Sequence, residues 1–144
     1  LENKNSSILI PGCGNAYEAI YLAEQGFTNI TLIDIAASLV EALKIKLKDY
    51  HFIQIIHQNF FNHTNRYDLI IEQTFFCALS PLLREQYVLK MHELLRSGGK
   101  LAGVLFDKDF EDTEGKEKNK ERRAKTKGDL PCRVFVIEYF DLSL

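Results

Sequence analysis

The chain has 144 residues, of which 46% are hydrophobic and 26% charged, and its formal net charge is −2. This length and composition are typical of one globular domain with a sizeable core. The nearly balanced charge argues against a nucleic acid or an acidic membrane as a partner. No apolar run is long enough to cross a membrane, and residues 1–10 have no signal-peptide pattern. The expectation is a cytoplasmic protein that is monomeric by default.

Short apolar runs alternate with helix-length segments along the first 106 residues. Five strands are predicted, at residues 7–11, 29–34, 51–56, 67–72 and 100–106. Three helices are predicted between them, at residues 15–25, 37–48 and 81–96. This alternation predicts a mostly parallel sheet covered on both faces, which is the α/β, Rossmann-like, doubly wound fold. In that fold ligands bind at the carboxyl ends of the strands.

The composition changes after Phe106. Sixteen of the 23 residues at 107–129 are charged, eight of each sign, so this segment cannot contribute to a core. We therefore expect residues 1–106 to form the α/β core and residues 107–130 to be a mobile, solvated segment. Residues 131–144 include a run of strand composition at 132–140, which is expected to add an edge strand to the same domain.

The three cysteines lie far apart in the sequence, at Cys13, Cys77 and Cys132. Without a Cys-x-x-Cys pair they indicate neither a disulfide framework nor a zinc site. We expect each of them to be a small buried hydrophobic residue. The four histidines show no metal-ligand spacing, so no metal site is predicted.

The first predicted strand runs into a turn with two glycines, in the sequence IPGCGNAY. The turn lacks the Gly-Lys-Ser/Thr ending of a phosphate-binding loop, and Tyr17 stands where a dinucleotide-binding fold needs a small residue. Asp34 ends the second predicted strand, twenty residues after Gly14, where its carboxylate could accept hydrogen bonds from two ribose hydroxyls. Gly12 and Gly14 allow a flat ligand without phosphates to approach the backbone. The pattern favours S-adenosylmethionine over a nicotinamide dinucleotide.

Four stretches of the sequence resemble the class I S-adenosylmethionine-dependent methyltransferases. They read ILIPGCGNAYEA, ITLID, NFF and YDLIIEQTFFCALSPLLREQYVLKMHELLRSGGKLAGVLF. Within that class they are similar to the thiopurine S-methyltransferase family, which includes the plant thiol and halide methyltransferases. The resemblance covers about residues 7–110. It implies S-adenosylmethionine as the cofactor and a small soft nucleophile as the methyl acceptor, such as a thiol, a thiopurine, a halide or a metalloid.

The resemblance also implies which residues contact the cofactor. It puts Gly12 and Gly14 under the methionine part, Asp34 on the ribose, Asn59 and Phe60 along the adenine, and Gln73 near the sulfonium. Relatives commonly carry an aspartate where this chain has Asn59, whose side-chain oxygen can still accept a hydrogen bond. No residue of the protein is implied to act as a catalyst.

Several neighbours of these residues have two interpretations each. Phe61, Phe75 and Phe76 could line an apolar acceptor pocket, although core packing is the preferred interpretation of Phe76. Glu72 could bind the methionine ammonium or form a salt bridge at the strand end. Cys77 is not expected to be a nucleophile, because the sequence places no general base beside it.

The family pattern includes an aromatic segment before the first strand and a Pro-Pro-Phe loop after the fifth. Residues 1–7 contain no aromatic side chain, and the charged run follows Phe106. The expectation from the sequence is a fold that is incomplete at both places and that binds the cofactor better than it uses it. A non-catalytic domain that retains the fold is the alternative.

Overall fold

The computed structural model describes residues 2–106 and 132–138. Within these residues six strands form one sheet, and they are β1 (Ile8–Pro11), β2 (Ile30–Asp34), β3 (Ile53–His57), β4 (Tyr67–Gln73), β5 (Leu95–Phe106) and β6 (Cys132–Glu138). Their order across the sheet is β3-β2-β1-β4-β5-β6. The first five strands are parallel, and β6 pairs with β5 in the antiparallel direction. The predicted α/β doubly wound fold is confirmed.

Within residues 2–106, four α-helices and two short 3-10 helices connect the strands. The α-helices are α1 (Tyr17–Glu24), α2 (Ala37–Lys46), α3 (Phe75–Ala78) and α4 (Arg84–Leu94), and the 3-10 helices are Phe60–Asn62 and Pro81–Leu83. The sequence predicted α1, α2 and α4 but missed α3 and the first 3-10 helix. Both missed elements are shorter than the two turns that a hydrophobic period needs to become visible.

The central strand β1 is buried on both faces. Ile8 and Ile10 belong to one hydrophobic cluster with residues of α1 and α2, whereas Leu9 belongs to a second cluster with residues of α4. Successive side chains of a strand point to opposite faces of the sheet, so the two helical layers lie on opposite faces. A strand covered on both faces needs a continuous apolar run, which explains the sequence of β1.

The third predicted helix was wrong at its C-terminal end. It stops at Leu94 rather than residue 96, because Leu95 is extended (φ −84°, ψ 138°) and pairs with Tyr67 of β4. Arg96 then donates hydrogen bonds to the carboxylate of Asp68 at 3.0 Å and to the hydroxyl of Ser7 at 2.9 Å. These bonds hold the residues after α4 against the sheet. If the helix continued to residue 96, Arg96 could not reach these partners.

The first predicted helix also starts later than expected. Ala16 has a left-handed backbone (φ 56°), so α1 begins at Tyr17 instead of residue 15. The fifth predicted strand starts too late, because β5 begins at Leu95 rather than at residue 100, and α4 begins at Arg84, after the 3-10 helix Pro81–Leu83. The other predicted strand and helix ends within residues 2–106 agree with the structure to within two residues. The charged segment at 107–130 lies outside the described residues, whereas the predicted edge strand is found at Cys132–Glu138.

The two cysteines with described side chains differ in burial. Cys13 is buried and Cys77 is half-buried, and both are free thiols. The side chain of Cys132 lies outside the described ones. Among the described residues there is no helix with the length and apolarity of a membrane span. No group of three metal-binding side chains occurs in that same part of the chain.

Leu94 and Leu82 provide a matched pair for testing the core. Leu94 of α4 is 0% exposed, and Leu82 in the preceding 3-10 helix is 88% exposed. Leu94→Ala should lower the free energy of unfolding by about 2–5 kcal/mol, because it removes buried methyl groups and leaves a cavity. Leu82→Ala should change it by less than about 0.5 kcal/mol. Equal losses in urea denaturation would contradict this assignment of the core.

Candidate functional site

A cavity of about 600 Å³ opens at the carboxyl ends of β1, β2 and β4. It lies where the sheet order reverses direction, since β1 neighbours both β2 and β4. All six residues that the sequence assigned to a cofactor line it, namely Gly12, Gly14, Asp34, Asn59, Phe60 and Gln73. The structure therefore brings these residues together, and their individual roles stay predictions.

The glycine turn after β1 forms the floor of the cavity. Gly12 and Gly14 both have left-handed backbones, with φ values of 58° and 46°. The N–H of Gly12 donates to the carbonyl oxygen of Ile33 at 2.8 Å, which ties the turn to β2. A Cβ atom on Gly12 would overlap the ring of Phe75, whereas a Cβ on Gly14 would have no atom within 4 Å. Glycine is thus required at position 12 for two reasons: the left-handed backbone and the close approach of the Phe75 ring.

Asp34 ends β2 with its carboxylate at the cavity. One oxygen, Oδ1, accepts the N–H of Ala36 at 2.9 Å and so fixes the orientation of the carboxylate. The second oxygen, Oδ2, accepts no hydrogen bond within the described residues. One oriented carboxylate oxygen is therefore left for a ligand with hydroxyl or amine donors.

Asn59 and Phe60 are both engaged in local structure. The side-chain oxygen of Asn59 accepts the N–H of Phe61 at 3.0 Å and caps the 3-10 helix Phe60–Asn62. Phe60 is only 5% exposed, and its ring makes edge-on contacts with the rings of Phe61 and Phe75. Most of the Phe60 ring is used in core packing, which leaves little of it for a ligand.

The surroundings of Glu72 contradict both interpretations drawn for it from the sequence. The side chain is fully buried, it does not line the cavity, and it forms no ion pair with any other described residue. Instead its carboxylate accepts the N–H groups of Phe75 (3.2 Å) and Phe76 (3.0 Å) and the hydroxyl of Tyr87 (3.4 Å). Burial raises the pKa of Glu72, and these hydrogen bonds oppose that rise. A charge pattern in the sequence could not reveal these partners, because two of them are backbone groups.

Two polar residues near the cavity, Tyr87 and His63, are buried. Tyr87 lies on the inner face of α4, where its ring packs against Phe76. His63 follows the 3-10 helix, with Nε2 lying 2.7 Å from the hydroxyl of Tyr67 and Nδ1 3.0 Å from Oε1 of Gln58. Burial, together with the charge of Lys90, lowers the pKa of His63. The imidazole therefore serves as a neutral link to Gln58, which lines the cavity.

Apolar side chains make up much of the remaining wall of the cavity. Ile35 follows Asp34 directly and is 69% exposed, while Phe75, Ala78, Leu79 and Leu83 close the opposite side. Ile35 was missed because one apolar residue after a strand carries no periodic signal. Thr74 also lines the cavity with a left-handed backbone (φ 59°), which is a strained conformation for a β-branched residue.

The cysteines near the site are not arranged as nucleophiles. Burial and the nearby charge of Asp34 raise the pKa of Cys13 to about 12, so its thiol stays protonated at neutral pH. Cys77 lies on α3 but is not among the residues that line the cavity. The thiol of Cys13 therefore lacks the thiolate character that covalent catalysis requires.

Known proteins resemble this chain over most of its length. The family model described as thiopurine S-methyltransferase matches residues 1–124. Probable thiol methyltransferase 2 of Arabidopsis thaliana is 31% identical over 107 residues, which cover 71% of this chain and 47% of that protein. Thiocyanate methyltransferase 1 of the same plant is 24% identical over 102 residues, or 68% of this chain and 45% of that protein. The chain spans about half the length of these curated relatives.

Solved methyltransferase structures share the fold. The 1,6-didemethyltoxoflavin-N1-methyltransferase of Burkholderia thailandensis, crystallised with 1,6-didemethyltoxoflavin and S-adenosylhomocysteine, matches with a TM-score of 0.63 at 19% identity. The match covers 74% of this chain and 47% of that one. The expected class I methyltransferase form of the doubly wound fold is confirmed.

The two glycines of the turn allow a direct test of the floor of the cavity. Gly12→Ala and Gly14→Ala should share a strain of about 1–2 kcal/mol, because both positions have a left-handed backbone. Only Gly12→Ala should lower the free energy of unfolding further, since its methyl group must displace the ring of Phe75. Urea denaturation of both variants measures the difference, and a larger loss for Gly14→Ala would contradict the prediction.

Proposed function

The chain belongs to the thiopurine S-methyltransferase family, and we propose that it binds S-adenosylmethionine in the strand-end cavity and directs methyl transfer to a small soft nucleophile. One observation carries the proposal. A glycine turn without phosphate-binding features and the oriented carboxylate of Asp34 line the same cavity.

The charge of the cavity supports a cationic ligand. Among the described residues that line it, Asp34 is the only ionisable side chain, and there is no lysine, arginine or histidine. The pyrophosphate of a dinucleotide would find no cationic side chain among these residues. S-adenosylmethionine carries a sulfonium and an ammonium instead, so its charge is compatible with the lining.

The residues fit the parts of this cofactor in turn. The oxygen Oδ2 of Asp34 is free to accept from ribose hydroxyls, while Oδ1 remains bonded to Ala36. The exposed side chain of Ile35 offers an apolar surface beside that carboxylate, as an adenine ring needs. Gln73 supplies an amide at the cavity next to the glycine turn, which suits the amino-acid end of the cofactor.

The apolar side of the cavity supports a soft acceptor. Bound S-adenosylmethionine supplies an activated methyl group on a sulfonium. Phe61, Phe75 and Leu79 supply apolar side chains to the walls of the cavity. With an anionic acceptor such as a thiolate, opposite charges cancel during transfer, and an apolar wall favours that cancellation. The names of the Arabidopsis thaliana relatives, a thiol and a thiocyanate methyltransferase, point to the same class of acceptor.

The chain's contribution to the reaction is alignment and exclusion of water. The thiol of Cys13 is protonated, and the buried carboxylate of Glu72 is engaged with backbone N–H groups, so neither of these two side chains is arranged as a nucleophile. Holding an acceptor at near-attack distance suffices for an activated methyl group. Misplacement by about 1 Å can cost on the order of a hundredfold in rate, so the rigidity of the cavity matters most.

Calorimetry with three ligands tests the proposed cofactor. S-adenosylmethionine and S-adenosylhomocysteine should both bind, because they share the groups that fit Asp34 and Ile35. NAD should bind more weakly by at least about tenfold, or 1.4 kcal/mol, because Tyr17 stands where a dinucleotide-binding turn needs a small residue and no cationic side chain of the described lining faces a pyrophosphate. If NAD binds as tightly as either sulfur compound, the proposal is wrong.

Asp34→Asn tests the ribose contact without disturbing the turn. The amide oxygen can still accept the N–H of Ala36, so the free energy of unfolding should change little. Affinity for S-adenosylmethionine should fall by about 1.5–3 kcal/mol, the contribution of hydrogen bonds to a charged group. Asp49→Asn, at an exposed position after α2, is the matched control. Lower stability with unchanged affinity would show that Asp34 is structural.

A further inference from the structure

We propose that Glu72 is a positioning residue for the cofactor: its buried carboxylate holds the Phe75 wall and so sets the shape of a cavity that it does not touch. The inference rests on the proposed binding of S-adenosylmethionine. It gives a role in ligand binding to the one fully buried charged residue of the described chain.

Two hydrogen bonds to the carboxylate of Glu72 fasten the segment that follows β4. Oε2 accepts the N–H of Phe75 at 3.2 Å, and Oε1 accepts the N–H of Phe76 at 3.0 Å. These are the first two N–H groups of α3, which have no partner within the helix. The hydroxyl of Tyr87 donates to Oε1 at 3.4 Å and connects the carboxylate to α4.

The segment held in this way is a wall of the cavity. Gln73, Thr74 and Phe75 all line it. The ring of Phe75 covers Gly12 on the opposite side of the crevice and makes an edge-on contact with Phe60, with centroids 5.1 Å apart. Moving Phe75 therefore changes the distance between the two sides of the cavity.

The segment cannot hold this position by itself. α3 has only four residues, fewer than a helix needs for independent stability. Thr74 precedes it in a strained left-handed conformation, and its N–H donates to the carbonyl oxygen of Val104 in β5 at 3.0 Å. The carboxylate of Glu72 supplies the second attachment.

Glu72→Gln is the sharpest substitution, because it preserves shape and leaves one oxygen acceptor where there were two. Either Phe75 or Phe76 then faces an NH₂ group instead of an oxygen. We expect affinity for S-adenosylmethionine to fall about tenfold by calorimetry, with a folded circular dichroism spectrum. Glu41→Gln, at an exposed surface ion pair with Lys44, is the matched control and should leave affinity unchanged.

A double-mutant cycle separates positioning from a general loss of stability. If Glu72 acts through the ring of Phe75, adding Glu72→Gln to Phe75→Ala should weaken binding by less than about threefold further. Independent, multiplying losses would overturn the inference, and so would an unchanged affinity in Glu72→Gln.

Two further outcomes are distinguishable. If Glu72→Gln does not fold, Tyr87→Phe takes its place, because it removes one donor to the same carboxylate and keeps the ring that packs against Phe76. It should weaken binding about threefold, and unchanged affinity would overturn the inference. If the unsubstituted chain binds no S-adenosylmethionine, the proposed function itself fails, and the positioning role fails with it.

Discussion

The contact between the ring of Phe75 and the backbone of Gly12 is the constraint on which the site depends. Gly12 follows β1 and Phe75 follows β4, the two neighbouring strands from which the chain leaves toward opposite faces of the sheet. A crevice must open between those two exits. Because Gly12 has no side chain, the ring of Phe75 can pack against its backbone and close one side of the crevice. The sheet topology therefore produces the cavity. The glycine at position 12 determines how narrow the cavity is.

Two carboxylates near the strand ends, those of Asp34 and Glu72, have different surroundings and different roles. Asp34 ends β2 at the cavity with one oxygen bonded locally and one free. Glu72 lies one residue before the end of β4 with both oxygens bonded, and it is fully buried. Strand alternation explains the difference. Asp34 and Gln73 are the last residues of their strands and line the cavity, whereas Glu72 comes one residue before Gln73 and so points to the opposite face. An exposed carboxylate can meet a ligand, whereas a buried one must be satisfied by the protein.

Polar side chains inside the second core cluster connect the walls to the sheet. Tyr87 links α4 to Glu72, and His63 links Tyr67 of β4 to Gln58 at the cavity. Buried hydrogen bonds of this kind add little net stability but penalise any displacement that breaks them. The cavity thus combines an apolar lining with a polar support behind it. That combination suits a site whose main task is alignment.

The sequence by itself determined the doubly wound fold and the strand ends that carry Gly12, Asp34 and Gln73, because both follow from local periodicity and turn chemistry. It could not place Phe75 against Gly12 or Tyr87 against Glu72, since those partners meet only after the sheet has ordered its strands. The end of α4 was misjudged for the same reason, as Arg96 binds Asp68 and Ser7, which lie far away in the chain. Hydrogen bonds to backbone groups leave no residue-type signal, so the role of Glu72 was visible only in the tertiary structure.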